Sequence, residues 1–328
     1  LRANTNLHLK PLPYTALLDL FPDRSAEERM IIYAITGGMP AYLPVFVQQP
    51  DLPAAVERLC FAADSSFLAD MASLFEERLA EPALCRTILA ALSDGPATPA
   101  ALSRRLGISY DDFQQHLYFL RLLKLVADDR SVHRPGAGLH IRHILADASL
   151  RFYYQHLKPA LTRSSPKETA VAACSSLYAS LGHDPPIALC QEWIWAAASA
   201  QQIDIQPQAV GAYWDDQAET PEYPVAAADP SKKKLLLGVG LRENGRFTSA
   251  DLEERIQIVQ QLAQGKLAGW HVALVVFGRR PFAPEVRAAA AMAGERLVTL
   301  ADIETLLLMA REAMGCEQDG PVSEPFEI

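Results

Sequence analysis

Along the first part of the chain apolar residues recur at helical spacing, interrupted by glycine and proline. After a short extended piece, "NLHLKPLPY", residues 1–79 read as helices. Ser25 with Glu28 three residues later predicts a capped helix start leading into Met30, Ile31, Tyr33 and Ala34. In "GGMPAYL", Gly37 and Gly38 permit a left-handed exit and Pro40 forbids continuation. A further helix is predicted from about Asp64 to Leu79. Residues 80–146 have a distinct cadence. The helix "ALCRTILAALSDG" ends at Gly95, Thr98 caps "PAALSRRLG", Gly107 turns the chain and Ser109 caps "YDDFQQHLYFLRLLKLV". Two extended segments follow, around Val132 and at "LHIRHIL", parted by Pro135, Gly136 and Gly138. Three helices and a hairpin in this order predict a winged helix-turn-helix.

Residues 147–186 form a helical connector, with "RFYYQHLKPAL" its clearest piece and "GHDPP" its close. Beyond it the pattern changes. An apolar helix over 187–201 carries Glu192, Trp193 and Trp195, and strand-like runs follow at "AVGAYW", "YPVAAA" and "KLLLGVGL". Leu252, Ile256, Val259 and Ala263 make a helical stripe. Strand "HVALVVFG", an alanine-rich helix, strand "RLVTL" and a last helix complete residues 187–314, and 315–328 form an acidic tail. Helix, three strands, helix and strand predict an α/β sandwich with a mixed sheet. The fold class is therefore multidomain, α followed by α/β.

Length fits two or three domains, since 328 residues exceed a usual single core. The sequence holds no run long enough for a bilayer-spanning helix and no signal peptide, which predicts a soluble, cytoplasmic chain without a membrane partner. The five cysteines, Cys60, Cys85, Cys174, Cys190 and Cys316, are scattered with no C-x-x-C pair and read as small buried residues. The chain opens on Leu1 rather than methionine, which reads as a piece of a longer protein. The net charge of −9 is unevenly spread: residues 80–146 hold 8 basic and 6 acidic side chains, residues 191–328 hold 12 and 20. A basic footprint for nucleic acid is therefore faint in the middle and missing at the end.

The stretch "KKKLLLGVGLRENGRFTS" tests two phosphate-binding patterns. A Walker A loop needs G-x-x-x-x-G-K-[ST]. Gly240 and Gly245 keep that spacing, but Arg246 stands at the lysine and Phe247 at the hydroxyl, with Thr248 one residue late. G-x-G-x-x-G fails as well, because Glu243 follows Gly238 and Gly240 where a third glycine belongs. A strand-to-helix turn explains these glycines without a ligand.

Five blocks, "LHLKPLPY", "YAITGGMPAYL", "EPALCRTILAAL", "LADASLRFYYQHLKPAL" and "VGAYWDD" followed by "KKLLLG", resemble in that order the back half of an archaeal-type (STAND-like) AAA+ ATPase family. Members of that family end in a domain of the PD-(D/E)XK nuclease superfamily. The resemblance covers nearly the whole chain and implies a nucleotide-binding core ahead of Leu1, so ATP and Mg²⁺ would belong to the longer parent and no cofactor to this chain. Residues 1–79 would then be the end of the core and its helical lid.

The resemblance also implies a nuclease strand pair carrying two acids for a divalent metal and a lysine beside the attacking water. Matched to this sequence, Glu222 takes the place of the glutamate, Pro224 of the metal-binding aspartate, Val239 of the second acid and Leu241 of the lysine, while Glu192 matches a family acid on the preceding helix. Proline and two aliphatics hold no metal, so no catalytic residue and no metal site is expected. Asp229, Glu243 and Lys234 are the nearby candidates for displaced ligands.

For double-stranded DNA the candidates lie in the winged helix. Arg104 and Arg105 would meet phosphates; Ser109, Gln114, Gln115 and Tyr118 are of types that reach base edges; Arg130, His133 and Arg134 would form a basic wing. Asp111 and Asp112 oppose this reading at the start of the third helix, where they also complement the helix dipole. His140 and His143 point to opposite faces and read as surface or turn histidines. Phe152, Tyr153, Tyr154, Trp193 and Trp195 read as core aromatics. Three functions stay open: a sensor or effector portion of an AAA+ ATPase that holds DNA or a protein partner, a metal-dependent endonuclease with displaced ligands, and a protein-interaction scaffold or homodimer.

Overall fold

The computed structural model describes residues 11–65, 67–73, 81–133, 141–182, 184–214, 222–240 and 247–318. Among the sequence-derived candidates, Leu241, Arg134, His140, Glu243, Gly245, Arg246 and the acidic tail beyond residue 318 lie outside the described residues. The protein is a mixed α/β chain that divides into two compact units: the described residues of Leu1–Asp129 and Ala137–Leu181, and those of Arg130–Gly136 and Gly182–Ile328. Among the described residues no helix is long and apolar enough to cross a membrane.

The first unit begins with α1 (Tyr14–Leu20), α2 (Ala26–Thr36), α3 (Leu43–Gln48), α4 (Leu52–Phe61) and α5 (Phe67–Ser73). Ser25 accepts from the Glu28 N–H, and Glu28 Oε2 accepts from the Ser25 N–H, so both groups of the capping box are in place. Gly37 then leaves α2 in the left-handed region (φ 59°). Gly38 (φ 75°) has a second role. The Leu12 N–H donates to its carbonyl (2.8 Å), and a Cβ on Gly38 would sit 2.1 Å from the Leu12 oxygen. The glycine pair thus turns the chain and lets a neighbouring backbone lie against it.

Three helices come next: α6 (Pro82–Ser93), α7 (Pro99–Leu106) and α8 (Tyr110–Leu122). Cys85, Ile88, Leu89 and Leu92 of α6, Leu102 of α7 and Phe113, Leu117 and Leu120 of α8 are buried. Thr98 and Ser109 cap α7 and α8, and Gly107 (φ 66°) makes the turn between them. A two-stranded antiparallel ribbon follows, β1 (Val126–Asp129) and β2 (Arg142–Leu145), with Ala97 bridged to His143. The first strand therefore lies at Val126 rather than around Val132, and α8 stops four residues short of it. Lys124 takes a positive φ of 60°, which ends the helix and frees the next residues to pair with β2.

Helix α9 (Ala148–Phe152) runs through a π-helical turn, Tyr153–Leu157, into α10 (Lys158–Ala160), and α11 (Pro166–Leu181) closes the unit. Phe152 and Tyr154 are core residues, as their pattern predicts. The cysteines described with side chains, Cys60, Cys85, Cys174 and Cys190, carry no disulfide. Burial pushes the thiols of Cys60 and Cys174 up to about 12 and that of Cys85 up to about 11, so they stay protonated and act as apolar filling.

The second unit is a five-stranded sheet with helices on both faces. Its elements are α12 (Ile187–Ser199), β3 (Ala209–Tyr213), β4 (Tyr223–Asp229), β5 (Lys234–Val239), α13 (Ser249–Gln264), β6 (His271–Gly278), α14 (Pro284–Ala293), β7 (Arg296–Thr299) and α15 (Leu300–Gln318). Spatial order follows sequence order, antiparallel from β3 to β5 and parallel from β5 to β7. The apolar runs of β4, β5 and β6 are buried on both faces, as a covered sheet requires. Leu252, Val259 and Leu262 of α13, with Val286 and Ala290 of α14, fill one face. On the other, Trp193 of α12 meets Phe277 edge-on at 5.6 Å. Gly238 has no room for a side chain, since a Cβ there would stand 2.9 Å from Val225 Cβ and 3.0 Å from Phe277.

Candidate functional site

Two places carry the sequence-derived candidates, one in each unit. In the first unit α7, the turn at Gly107 and α8 present a solvent-facing surface. Arg104 is exposed in the last turn of α7. Arg105 is committed within the unit: its guanidinium pairs with Asp94 and donates to the Ala91 carbonyl (3.4 Å). The Ser109 hydroxyl accepts from the Asp112 N–H (3.2 Å) and donates to the Asp112 carboxylate (2.7 Å), so it serves the helix start. Gln115 and Tyr118 face solvent and Gln114 is half-buried.

The outward face of α8 carries more than those polar groups. Tyr110, Tyr118, Phe119 and Leu122 are 53%, 62%, 39% and 65% exposed, unusual values for large apolar side chains on one short helix. Asp111 and Asp112 stand in its first turn and Arg121 in its last. Arg121 pairs with Asp128 of β1 at 2.9 Å while keeping half its side chain in water. Tyr110, Phe119 and Leu122 were not singled out by residue type; the helical spacing of Phe119 and Leu122 across from Phe113, Leu117 and Leu120 is the signal that marks those two, while Tyr110 is exposed as the first residue of the helix.

The ribbon beneath α8 is tied by charge. Arg142 donates from Nε and Nη2 to Asp129 Oδ2 (3.0 and 2.8 Å), both side chains about nine-tenths buried. His143 lies 3.3 Å from Asp128 and is buried, so the expected surface histidine is a strand residue instead. Burial lowers its pKa, and the Asp128 carboxylate opposes that shift only in part. The segment expected to form a basic wing divides differently. Arg130, Ser131, Val132 and His133 belong to the second unit. There the Val132 N–H donates to Ala212 O (2.9 Å), Val132 joins the core, and the His133 ring packs edge-on against Trp270 at 4.7 Å. Val132 covers the edge strand β3, an apolar opportunity stronger than a solvated wing.

The "GGMPAYL" and "LADASL" blocks meet at a cavity of about 280 Å³ in the first unit, walled by Met39, Met71, Leu125 and Leu150. The Tyr42 hydroxyl reaches Asp70 at 3.5 Å there, and burial first, then Asp70 and Asp147, push the phenol well above its ordinary range. Asp147 is occupied in capping α9, accepting from the Leu150 N–H (2.9 Å).

In the second unit two of the positions matched to the nuclease pattern are neighbours in the sheet. Val225 sits opposite Gly238, which sets Pro224 and Val239 side by side at one end of the sheet. Gln191 of α12 donates to the Pro224 carbonyl (3.4 Å), the next residue Glu192 is half-buried, and Glu222 is exposed just before β4. Gly240, following β5, abuts Asp184: a Cβ there would lie 2.1 Å from Asp184 Oδ2. The pyrrolidine of Pro224 and the buried isopropyl of Val239 supply no oxygen ligand, so these positions do not fit a divalent metal. Among the described residues no three His, Cys, Asp or Glu are grouped to hold a metal ion.

The displaced candidates lie elsewhere. Asp229 and Lys234 face each other at the opposite end of β4 and β5, five residues or about 17 Å from Pro224. Asp229 holds the connecting turn, accepting from the Ser231 hydroxyl (2.5 Å) and the Lys232 N–H (3.2 Å), and the Ser231 bond leads in lowering its pKa. Lys234 Nζ pairs with Asp204 at 2.6 Å. Thr248 is likewise occupied, forming a capping box with Asp251 at the start of α13. Trp193 is core, whereas Trp195 is 47% exposed.

No family model matches the chain, and no solved structure matches it. Over 158 residues, 48% of the chain, it is 24% identical to a protein of Methanocaldococcus jannaschii named "Uncharacterized protein MJECL04". The match covers 35% of that relative, so the chain corresponds to about a third of its length.

Proposed function

We propose that this chain is the C-terminal sensor and effector portion of an AAA+ ATPase, and that it works by holding a protein partner through a winged helix. Residues 80–146 are the winged helix, 1–79 the end of the ATPase core with its helical lid, 147–186 the connector and 187–314 an inactive PD-(D/E)XK nuclease-like domain. Support for the parts comes from the capped helix–turn–helix with its ribbon, and from a sheet built as helix, three-strand meander, helix and parallel strand. ATP and Mg²⁺ act in the parent protein, and a nucleotide-driven lid movement would change what the winged helix holds.

One observation favours a protein over DNA: the outward face of α8 offers Tyr118, Phe119 and Leu122 behind an acidic first turn, a surface suited to apolar docking and repellent to phosphates. Exposed Arg104 keeps duplex DNA as the second reading. Fluorescence anisotropy against duplex and single-stranded DNA, at several salt concentrations with EDTA present, separates them. The expected result is no salt-dependent binding. Binding that weakens steeply with salt and disappears in Arg104→Ala/Arg105→Ala would overturn the protein reading in favour of DNA. Plasmid cleavage dependent on Mg²⁺ or Mn²⁺ would overturn the inactive-nuclease assignment.

A further inference from the structure

We infer that the cavity between the "GGMPAYL" and "LADASL" blocks is a binding site for a primary ammonium group on a short aliphatic stem, either a free amine or the lysine side chain of a partner. The site lies apart from the outward face of α8, and neither reading depends on the other. The polar groups of its wall all point one way. Ser149 donates its hydroxyl to Asp147 Oδ1 (2.5 Å), and the Leu150 N–H donates to the same oxygen (2.9 Å). Tyr42, nine-tenths buried, turns its hydroxyl toward Asp70 (3.5 Å). Both hydroxyl protons are therefore directed at carboxylates, and Asp147 Oδ2 takes no part in the start of α9. Acceptor oxygen is what remains for a ligand, so its polar end has to donate and to carry positive charge.

The rest of the wall selects the body of that ligand. Met39, Met71, Leu125 and Leu150 offer thioether and aliphatic surface, which suits an unbranched stem. At about 280 Å³ the cavity falls just short of the roughly 300–1,000 Å³ of pockets for drug-sized molecules, which matches a small amine. Met39, Asp70 and Asp147 keep part of their surface in water, so the cavity is reached from solvent, while Tyr42, Met71 and Leu150 are buried. Among the described residues no cation walls it: Arg151, one helical turn on from Asp147, gives Nη2 to the Leu145 carbonyl (2.5 Å). Asp70 and Asp147 both add to burial in raising the Tyr42 phenol, so their fields overlap at the cavity. An anion would be repelled there. Two carboxylates with no third His, Cys, Asp or Glu grouped beside them among the described residues do not make a metal site.

Methionine-methyl NMR on the full chain, with n-pentylammonium as the probe, reads this site directly. Met39 and Met71 report the cavity, their signals assigned by Met39→Leu and Met71→Leu, and exposed Met292 and Met309 serve as controls. The expected result is a saturable shift of the first two signals with a midpoint on the order of 1 mM, and unmoved controls. Pentan-1-ol, which keeps the stem without the charge, should bind about tenfold more weakly or worse. Asp147→Asn should also weaken pentylammonium binding about tenfold while keeping α9 capped, since asparagine caps as well as aspartate. Asp70→Asn, away from that cap, is the second variant and should weaken binding about threefold or more. Thermal melts check that both variants remain folded. Nα-acetyl-lysine N-methylamide divides the two sources: affinity equal to that of pentylammonium assigns the site to a partner's lysine, and binding of pentylammonium alone assigns it to a free amine. No saturable shift up to about 50 mM probe, equal binding of pentan-1-ol, or wild-type affinity in both aspartate variants would overturn the inference.

Discussion

Lowering the pH from 7 to 4.5 should destabilise the first unit through one side chain, His156. It sits in the π-helical turn, 5% exposed, with Nδ1 2.9 Å from the Ser176 hydroxyl and Nε2 3.4 Å from that of Ser180. The Ser180 hydroxyl donates to the Leu177 carbonyl (2.8 Å), so it accepts from Nε2–H and leaves Nδ1 to accept from Ser176. Every polar atom of the neutral ring is thereby used, and burial lowers its pKa from 6.5 to about 4. The sign follows from proton counting. Between pH 6.5 and 4 the unfolded chain binds a proton that the folded chain refuses, so stability falls as pH falls and the loss levels off below pH 4. At pH 4.5 the loss is on the order of 2–3 kcal/mol, and it grows a little further before levelling off. Denaturant unfolding of the wild type and His156→Gln at both pH values isolates this contribution from the carboxylates. The wild type should lose on the order of 2–3 kcal/mol more than the variant. Equal losses, or a His156 Cε1 proton titrating above pH 6 by NMR, would refute the reasoning.

Two further expectations concern packing. Gly38→Ala should cost about 2–3 kcal/mol, combining the left-handed backbone with displacement of Leu12 and its hydrogen bond, whereas Gly107→Ala, whose Cβ would meet no described atom within 4 Å, should cost only about 1 kcal/mol. Thermal unfolding of the two variants compares them, and equal costs would deny Leu12 its role. Arg142→Ala should cost about 3 kcal/mol by leaving the Asp129 carboxylate buried without its guanidinium, and Arg142→Ala/Asp129→Ala should cost less than the sum of its single changes. Urea titrations that come out additive would show the pair to be uncoupled.

Local chemistry made much of this legible in the sequence. Ser25 with Glu28, Thr98 and Ser109 cap helices because a hydroxyl reaches only the backbone three residues ahead, so sequence spacing suffices. Gly37 and Gly107 mark left-handed exits for an equally local reason. The sheet of the second unit was readable because its inner strands are short apolar runs set between turns and helices. The candidate site was legible only in part. Residue types pointed to Arg105 and Ser109, yet the first is held by Asp94 and the second by its own helix start, partners that composition does not reveal.

The sequence by itself determined where the capped helices begin, which apolar runs of the second unit become strands, and that Pro224 and Val239 offer no ligand oxygen, since each depends on side-chain type and near neighbours. Only the tertiary structure decided which surface each group meets. It paired Val126–Asp129 with Arg142–Leu145 across an intervening segment, sent Val132 to the edge of β3, buried His143 and His156, and set Asp229 and Lys234 at the far end of the strands from Pro224. It also left Tyr118, Phe119 and Leu122 in water on one face of α8. Long-range pairing and burial depend on which distant surfaces remove the most apolar area from water at once, and that sum exists only when the whole chain is folded.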